Sequence, residues 1–249
     1  MTHSRKIAGL ICLSIAVLFG SGCTTLSVND DPSAHVAQDP LEGLNRGIYG
    51  FNRAADRAIL RPVAKAYDSA LPRPAKSGVS NFFSNLREPL NILHNLLQGK
   101  GERALDSTYR FAVNSTVGLF GLFDVAGAYD VQPAQEDLGQ TLAAWGVPPG
   151  PYLMLPFLGP SNLRDAAGRS IDSVIYYPIN ELSDSNGVRT GLVFLDVISL
   201  RASLLGTDRI LDTQVDEYSF LKTAFEQNRI SQIYDGDPPE SEEEDFDDF

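Results

Sequence analysis

The chain has 249 residues, with 20 Lys and Arg against 32 Asp and Glu, and therefore a formal net charge of −12. It has no basic excess to neutralise phosphates, which argues against nucleic acid as a partner. With three histidines and two cysteines, it has few side chains for metal or thiol chemistry.

Residues 1–22 are predicted to be a lipoprotein signal peptide. A positively charged start precedes an apolar run over residues 7–19, and small residues then lead to Cys23. This pattern is typical of secretory signals, and the run is too short for a permanent membrane span. The position of Cys23 resembles a bacterial lipobox, although Gly20 stands where leucine is usual. We expect a lipid on Cys23; the alternative is ordinary cleavage that leaves a free thiol.

Three further regions follow the signal. Residues 23–38 are predicted to be a lipidated polar tether, and residues 39–234 are long enough to form one helical domain with its own core. Residues 235–249 contain nine acidic side chains and no basic ones. Such a run repels itself and stays solvated, which predicts a disordered acidic tail.

Helical periodicity dominates the domain. Asp39, followed by Pro40, is predicted to cap a first helix with apolar residues at helical spacing. Pro62 and Pro74 are expected to open two short helices and Pro89 a fourth. Further helices are predicted at about 102–117, 164–176, 188–205 and 214–234. Period-two alternation is nearly absent, so the sequence predicts an all-α, compact single helical domain with little or no sheet.

Two uncharged runs interrupt this pattern. Residues 111–123 are too few to span a membrane, and they form either a buried helix end or a segment that dips into one leaflet. Residues 138–163 include four glycines and five prolines, which exclude a spanning helix and predict irregular apolar backbone. Such backbone either packs into a soluble core or lines a wet cavity. Together the runs suggest a body within a membrane without ordinary spanning helices.

Three blocks of the sequence give a more specific indication of function than composition does. Residues 137–168, DLGQTLAAWGVPPGPYLMLPFLGPSNLRDAAG, closely resemble the signature of the MlaA/VacJ family of outer-membrane lipoproteins. Residues 39–52, DPLEGLNRGIYGFN, and residues 201–229 resemble the family's opening motif and closing helices.

The resemblance implies a helical domain partly embedded in the outer membrane, on its periplasmic side, with an irregular Gly/Pro-rich apolar segment and a central lipid passage. It implies removal of mislocalised phospholipids from the outer leaflet and their transfer to a soluble periplasmic lipid carrier of the Mla type. The other implied partner is an outer-membrane porin trimer, and no cofactor is expected.

Candidate site residues follow from the irregular segment and the opening motif. We expect a lipid passage or its gate to include residues from both blocks: Tyr49, Gly50, Phe51, Asn52, Gly146, Gly150, Tyr152 and Pro156. Arg46 and Arg53 lie on other faces of the first helix. They contact either a lipid head group or a partner protein, or they belong to a solvated amphipathic surface.

Catalytic patterns are scarce. His94 falls on a predicted helix, where a hydrogen-bonded, partly buried histidine is the simpler interpretation, and Asp172 and Ser173 have no histidine neighbour in sequence. The chain has no HExxH, GxSxG or P-loop motif, so we expect neither an enzyme nor a metal protein. The alternatives to lipid transfer are a structural or assembly lipoprotein that scaffolds porins and, third, a lipid hydrolase.

Overall fold

The computed structural model describes residues 38–176 and 178–239. The predicted signal peptide, Cys23, the tether up to residue 37 and residues 240–249 of the tail lie outside the described residues. The described helices are α1 (Glu42–Ala55), α2 (Arg61–Ala70), α3 (Arg73–Leu97), α4 (Gly101–Thr116), α5 (Leu138–Ala144), α6 (Leu163–Ile175), α7 (Ile179–Leu182), α8 (Asn186–Ser203), α9 (Asp208–Asp212) and α10 (Glu217–Ile233). Two short strands, β1 (Tyr152–Leu155) and β2 (Gly159–Asn162), complete a mostly helical domain, as predicted.

The start of α1 differs from the prediction. Asp39 does not cap the helix, which begins at Glu42 after Leu41. Its carboxylate instead accepts hydrogen bonds from Asn45 Nδ2 at 2.8 Å and from the Tyr218 hydroxyl at 2.5 Å. Tertiary partners have therefore displaced the local capping interaction.

α1 continues without a break into α2 through a π-helical turn, Asp56–Leu60. Pro62 lies in the first turn of α2 and Pro74 in the first turn of α3, as predicted, but the helix that Pro74 opens is long and not short. Pro89 was expected to open a helix but lies inside the 25-residue α3. The packing of α3 against α4 and α8 outweighs the one backbone hydrogen bond that proline removes.

Residues 138–163 were predicted to be irregular, and that prediction is wrong for more than half of them. Asp137 caps α5 by accepting a hydrogen bond from the Gln140 amide. β1 and β2 form an antiparallel hairpin that pairs Tyr152 with Asn162 and Leu155 with Gly159. We call residues 152–162 the hairpin. β1 reads YLML and β2 reads GPSN, so neither strand shows the apolar–polar alternation that identifies a half-buried strand from sequence.

Residues 117–123 expose their apolar side chains. Leu119, Phe120 and Gly121 all have positive φ, at 51°, 60° and 86°, and Phe120 is 78% exposed. A left-handed conformation costs roughly 1–2 kcal/mol at each non-glycine residue. The alternative of a buried helix end is therefore wrong for this segment.

The domain has an inverted distribution of polarity. Among the described residues, 21 polar or charged side chains are buried, against 12 hydrophobic ones. On α3 the buried face carries Asn85, Glu88, Asn91, His94 and Asn95, while Leu93, Leu96 and Leu97 of the same helix are exposed. In an ordinary water-soluble domain, charged residues are rarely fully buried and large apolar patches are rarely exposed.

Within residues 38–176 and 178–239, no helix combines the length and the hydrophobicity that crossing a membrane requires.

Candidate functional site

Two asparagines of α1 hold the first strand of the hairpin. Asn45 donates from Nδ2 to the Tyr152 carbonyl at 3.0 Å and accepts at Oδ1 from the Met154 amide at 2.9 Å. Asn52 does the same three residues further along, where β1 runs into the turn, with the Leu155 carbonyl at 2.9 Å and the Phe157 amide at 2.8 Å. Each side-chain amide thus bonds to the strand edge as a neighbouring strand would.

The spacing of the two asparagines matches the strand. Seven residues of α-helix return to nearly the same face after a rise of about 10.5 Å. The two bonding positions on the hairpin are centred three residues apart, which is about 10 Å of strand. We call the pair Asn45 and Asn52 the asparagine latch.

Aromatic side chains reinforce the latch. Phe51 meets Phe157 edge to face, with ring centroids 5.1 Å apart. Tyr152 is fully buried and packs edge to face against Tyr218, at 6.1 Å between centroids. Tyr49 donates a hydrogen bond of 2.5 Å to Glu217 Oε2. Burial, together with this hydrogen bond, raises the Tyr49 pKa well above its usual value of about 10.

The other predicted passage residues lie in or next to α1 and the hairpin in the sequence. Pro156 is in the turn of the hairpin, and Gly146 and Gly150 adopt positive φ in the segment between α5 and β1. Gly50 has open space where a Cβ would stand. The structure therefore brings Phe51, Asn52, Tyr152 and Pro156 into one α1–hairpin unit.

Arg46 and Arg53 form ion pairs within the chain. Arg46 holds Asp216 with bonds of 3.0 and 2.7 Å, and Arg53 holds Glu217 with bonds of 2.9 and 3.0 Å. The Arg53 and Tyr49 hydrogen bonds lower the pKa of the Glu217 carboxyl. These pairs fasten α1 to the start of α10. The side chain of Arg46 is 40% exposed and that of Arg53 only 10%, so Arg46 offers the more accessible guanidinium.

His94 is a buried, hydrogen-bonded residue. Its Nδ1 lies 3.0 Å from Thr141 Oγ1 and its Nε2 lies 3.1 Å from Asp172 Oδ1, while Asp172 Oδ2 accepts from the Leu138 amide at 2.9 Å. Thr141 has no accessible surface. The contacts join α3, α5 and α6, and a substrate does not reach the threonine hydroxyl in this conformation.

A cavity of about 400 Å³ lies beside this network, and we call it the polar cavity. Its apolar lining includes Phe83, Leu86 and Leu90 from α3. The polar lining comes mainly from the residues around the start of α5, from α6 and from α8: Glu136, Asp137, Gln140, Arg169, Asp172, Ser173 and Asp196. Of the 138–163 segment only Gln140 contributes, so none of the eight predicted passage residues lines this cavity.

Two arginines differ in their surroundings at the polar cavity. Arg87 of α3 binds Asp196 of α8 at 2.5 Å. Arg169 is exposed and makes no hydrogen bond or ion pair with any described residue. Sequence analysis missed both residues, because the cavity joins charges from distant parts of the chain. One available signal was the Asn and Glu series at positions 85, 88 and 91 of α3, whose spacing indicates a polar helix face.

A second opening is almost entirely apolar. A groove of about 490 Å³ lies between α2 and α8, lined by Val63, Ala66, Tyr67, Phe194 and Ile198 among others. The described part of the domain thus carries the polar cavity, which has a mixed lining, and a groove with an apolar lining.

The model of the MlaA lipoprotein family matches residues 37–232. The chain belongs to the MlaA family. The match covers nearly the whole range predicted to be the helical domain, and it includes the asparagine latch, the hairpin and the polar cavity. The family-level prediction from the three sequence blocks is confirmed.

Named relatives and a solved structure support the MlaA assignment. The intermembrane phospholipid transport system lipoprotein MlaA of Escherichia coli K12 is 37% identical over 191 residues, which is 75% of each chain. The protein of the same name from Haemophilus influenzae is 30% identical over 243 residues, covering 96% of this chain and 95% of that one. A structure described as a "structural basis for maintenance of bacterial outer membrane lipid asymmetry" shares 36% identity and a TM-score of 0.69, covering 79% of this chain and 99% of its own.

Proposed function

We propose that this member of the MlaA family is an outer-membrane lipoprotein of a Gram-negative bacterium. It removes mislocalised phospholipids from the outer leaflet and passes them to a periplasmic carrier, which maintains the lipid asymmetry of that membrane. The inverted distribution of polar and apolar side chains carries the proposal. Such a body solvates its exterior with acyl chains and offers a polar interior to a lipid head group.

The energetics of lipid movement explain why such a body is needed. Exposing a phospholipid with roughly 30 methylenes to water costs on the order of 20 kcal/mol, at about 0.8 kcal/mol per methylene. A passive protein lowers this cost by keeping the tails in apolar surroundings while the head group follows a polar path. The amphipathic walls of the polar cavity fit such a path.

The body is proposed to lie partly within the membrane. The exposed side chains of Val117, Leu119, Phe120, Leu122 and Phe123 form an apolar tip at the end of α4, which supports the alternative that residues 111–123 dip into one leaflet. Lipid on Cys23 adds the anchor, and the domain reaches the membrane from the periplasmic side. An acyl anchor together with inserted apolar side chains supplies the two signals that stable attachment requires.

The hairpin is proposed to gate the lipid passage rather than to line it. The residues concerned are those predicted from sequence: Tyr49, Gly50, Phe51, Asn52, Gly146, Gly150, Tyr152 and Pro156. Gating is favoured because Tyr152 is fully buried and the asparagine latch holds the strand by side-chain hydrogen bonds. Four such bonds are few enough to open locally without unfolding the domain.

The proposed partners are a porin trimer in the outer membrane and a soluble lipid carrier of the Mla type. Arg46 is the more exposed of the two predicted contact residues and is the better candidate for a head group or partner. A scaffold that moves no lipid would be the alternative, but the relatives named for phospholipid transport favour transfer.

Reconstitution tests the proposal. The full lipidated chain is placed in vesicles that carry labelled phospholipid in one leaflet, with a soluble lipid-binding acceptor outside. Transfer of intact lipid above a protein-free control supports the function. Release of labelled fatty acid would indicate a hydrolase, and neither transfer nor release would indicate a scaffold; either result would overturn the proposal.

A further inference from the structure

The polar cavity holds an arginine that no described carboxylate contacts directly. Arg169 lines the cavity from α6, is exposed, and forms no hydrogen bond or ion pair with the described residues. Its charge acts at longer range on the carboxyl of Asp137, whose pKa it helps to lower. Other arginines with buried or half-buried side chains, such as Arg53 and Arg229, are satisfied by carboxylates. A guanidinium whose N–H groups make no hydrogen bond to the described residues presents paired donors that match the oxygens of a phosphodiester.

The same cavity carries more carboxylates than arginines. Its lining includes Arg87 and Arg169 against Glu136, Asp137, Asp172 and Asp196. Glu136, Asp137 and Asp172 accept several hydrogen bonds from the protein and are committed to it. Asp196 binds Arg87 through Oδ2 only, and no described residue hydrogen-bonds to its Oδ1. One carboxylate oxygen is thus left for a cationic ligand.

The geometry points to a zwitterionic ligand. We propose that the polar cavity selects phospholipids with an ammonium head group, with Arg169 binding the phosphate and Asp196 binding the ammonium. This inference rests on the proposed lipid-transfer function and names the class of lipid that the function handles.

Charge and shape both favour this class over an anionic lipid. Phosphatidylglycerol also offers a phosphate to Arg169, but it places no cation near Asp196. Phe83, Leu86 and Leu90 also line the cavity, so the first methylenes of the lipid find apolar contact there. A volume of about 400 Å³ falls within the usual range of about 300–1,000 Å³ for small-ligand sites.

Lipid retention tests the assignment. The full chain in detergent is loaded from micelles with equal amounts of phosphatidylethanolamine and phosphatidylglycerol of identical acyl chains, and the retained lipid is measured by mass spectrometry. We expect an excess of phosphatidylethanolamine in the wild type. A hydrogen bond to a charged group contributes about 1.5–3 kcal/mol. Arg169→Gln should therefore lower retention of both lipids by about tenfold or more, while Arg169→Lys restores part of it.

The second variant tests the ammonium contact. Asp196→Asn should lower the ratio of retained phosphatidylethanolamine to phosphatidylglycerol by about tenfold, because it also frees Arg87 for an anionic group. Arg209→Gln is the matched control, since Arg209 is exposed, lies outside the cavity lining and also has no described hydrogen-bond or ion-pair partner. It should leave both amounts unchanged.

The outcomes separate the head-group inference from the function. Equal retention of the two lipids by wild type, or retention that Arg169→Gln does not change, overturns the head-group inference while leaving lipid transfer standing. A wild type that retains no phospholipid overturns both. Displacement of bound lipid by inorganic phosphate alone would identify a simple anion site and contradict the assignment, whereas resistance to it supports a lipid-borne phosphate.

Discussion

Removing the Asn52 side chain should release the hairpin from α1. Asn52→Ala deletes two hydrogen bonds, to the Leu155 carbonyl and from the Phe157 amide. Each contributes about 0.5–1.5 kcal/mol net, so the latch should lose about 1–3 kcal/mol. At a factor of ten for each 1.4 kcal/mol, the population of released hairpin should rise about 5- to 150-fold.

Amide hydrogen exchange on the full chain in detergent measures this release. The Met154 amide is the informative probe, because Asn45 holds it and Asn52 does not touch it. If the hairpin opens as a unit, exchange at Met154 should accelerate by the same factor in Asn52→Ala. Asn228→Ala, at an exposed position of α10, makes the same chemical change away from the hairpin and should have no effect. Faster exchange at Phe157 with an unchanged rate at Met154 would refute the idea of a single latched unit.

Three further predictions concern the α1 register, helix packing and acid stability. Deletion of residues 50–51 shortens the separation of the latch asparagines from seven residues to five, so that their side chains point about 140° apart around the helix; altered outer-leaflet phospholipid content is expected. Gly168→Ala places a Cβ 2.7 Å from a backbone nitrogen of α5 and should destabilise the domain by about 1–3 kcal/mol, seen as a lower Tm. Burial opposes ionisation of Asp137, but Arg229 lowers its pKa, so unfolding free energy should fall as pH drops below about 4, and less steeply in Arg229→Gln.

Each of these predictions has a control or a contrary result. Normal lipid asymmetry at normal protein level would count against the effect of the deletion. Gly191→Ala has nothing within 4 Å and should raise Tm slightly, in contrast to Gly168→Ala. The sign of the pH effect follows from a lowered native pKa: the carboxylate stabilises the fold above the unfolded pKa and loses this effect as acid protonates it. A variant with the same pH slope as wild type would contradict the role of Arg229.

The periodic parts of the fold were predictable from sequence. The helices at 101–116, 163–175 and 186–203 lie within about two residues of their predicted bounds. Helical spacing of apolar residues is a local property, and it identifies a helix even when the apolar face turns outward. The same spacing did not indicate which face of a helix turns toward the interior. On α3 the apolar Leu96 is exposed and the polar Asn95 is buried.

Several local rules were overridden by contacts with distant residues. Asp39 was expected to cap α1 but bonds to Tyr218, which lies 179 residues away in sequence. Pro89 was expected to begin a helix and lies within one. The hairpin was missed because its edge is completed by Asn45 and Asn52, and a strand pairing with helix side chains leaves no pattern of its own in the sequence.

The sequence by itself determined the family, the helical class and the two blocks, residues 39–52 and 138–163, that meet at the hairpin. Sequence motifs and helical periodicity are local properties of the chain, so they can be identified without knowing how the chain folds. Only the tertiary structure decided that the polar faces turn inward and that Arg169 and Asp196 line one cavity. Those facts depend on distances between residues far apart in sequence, and on packing that sets which face of each helix meets its neighbours.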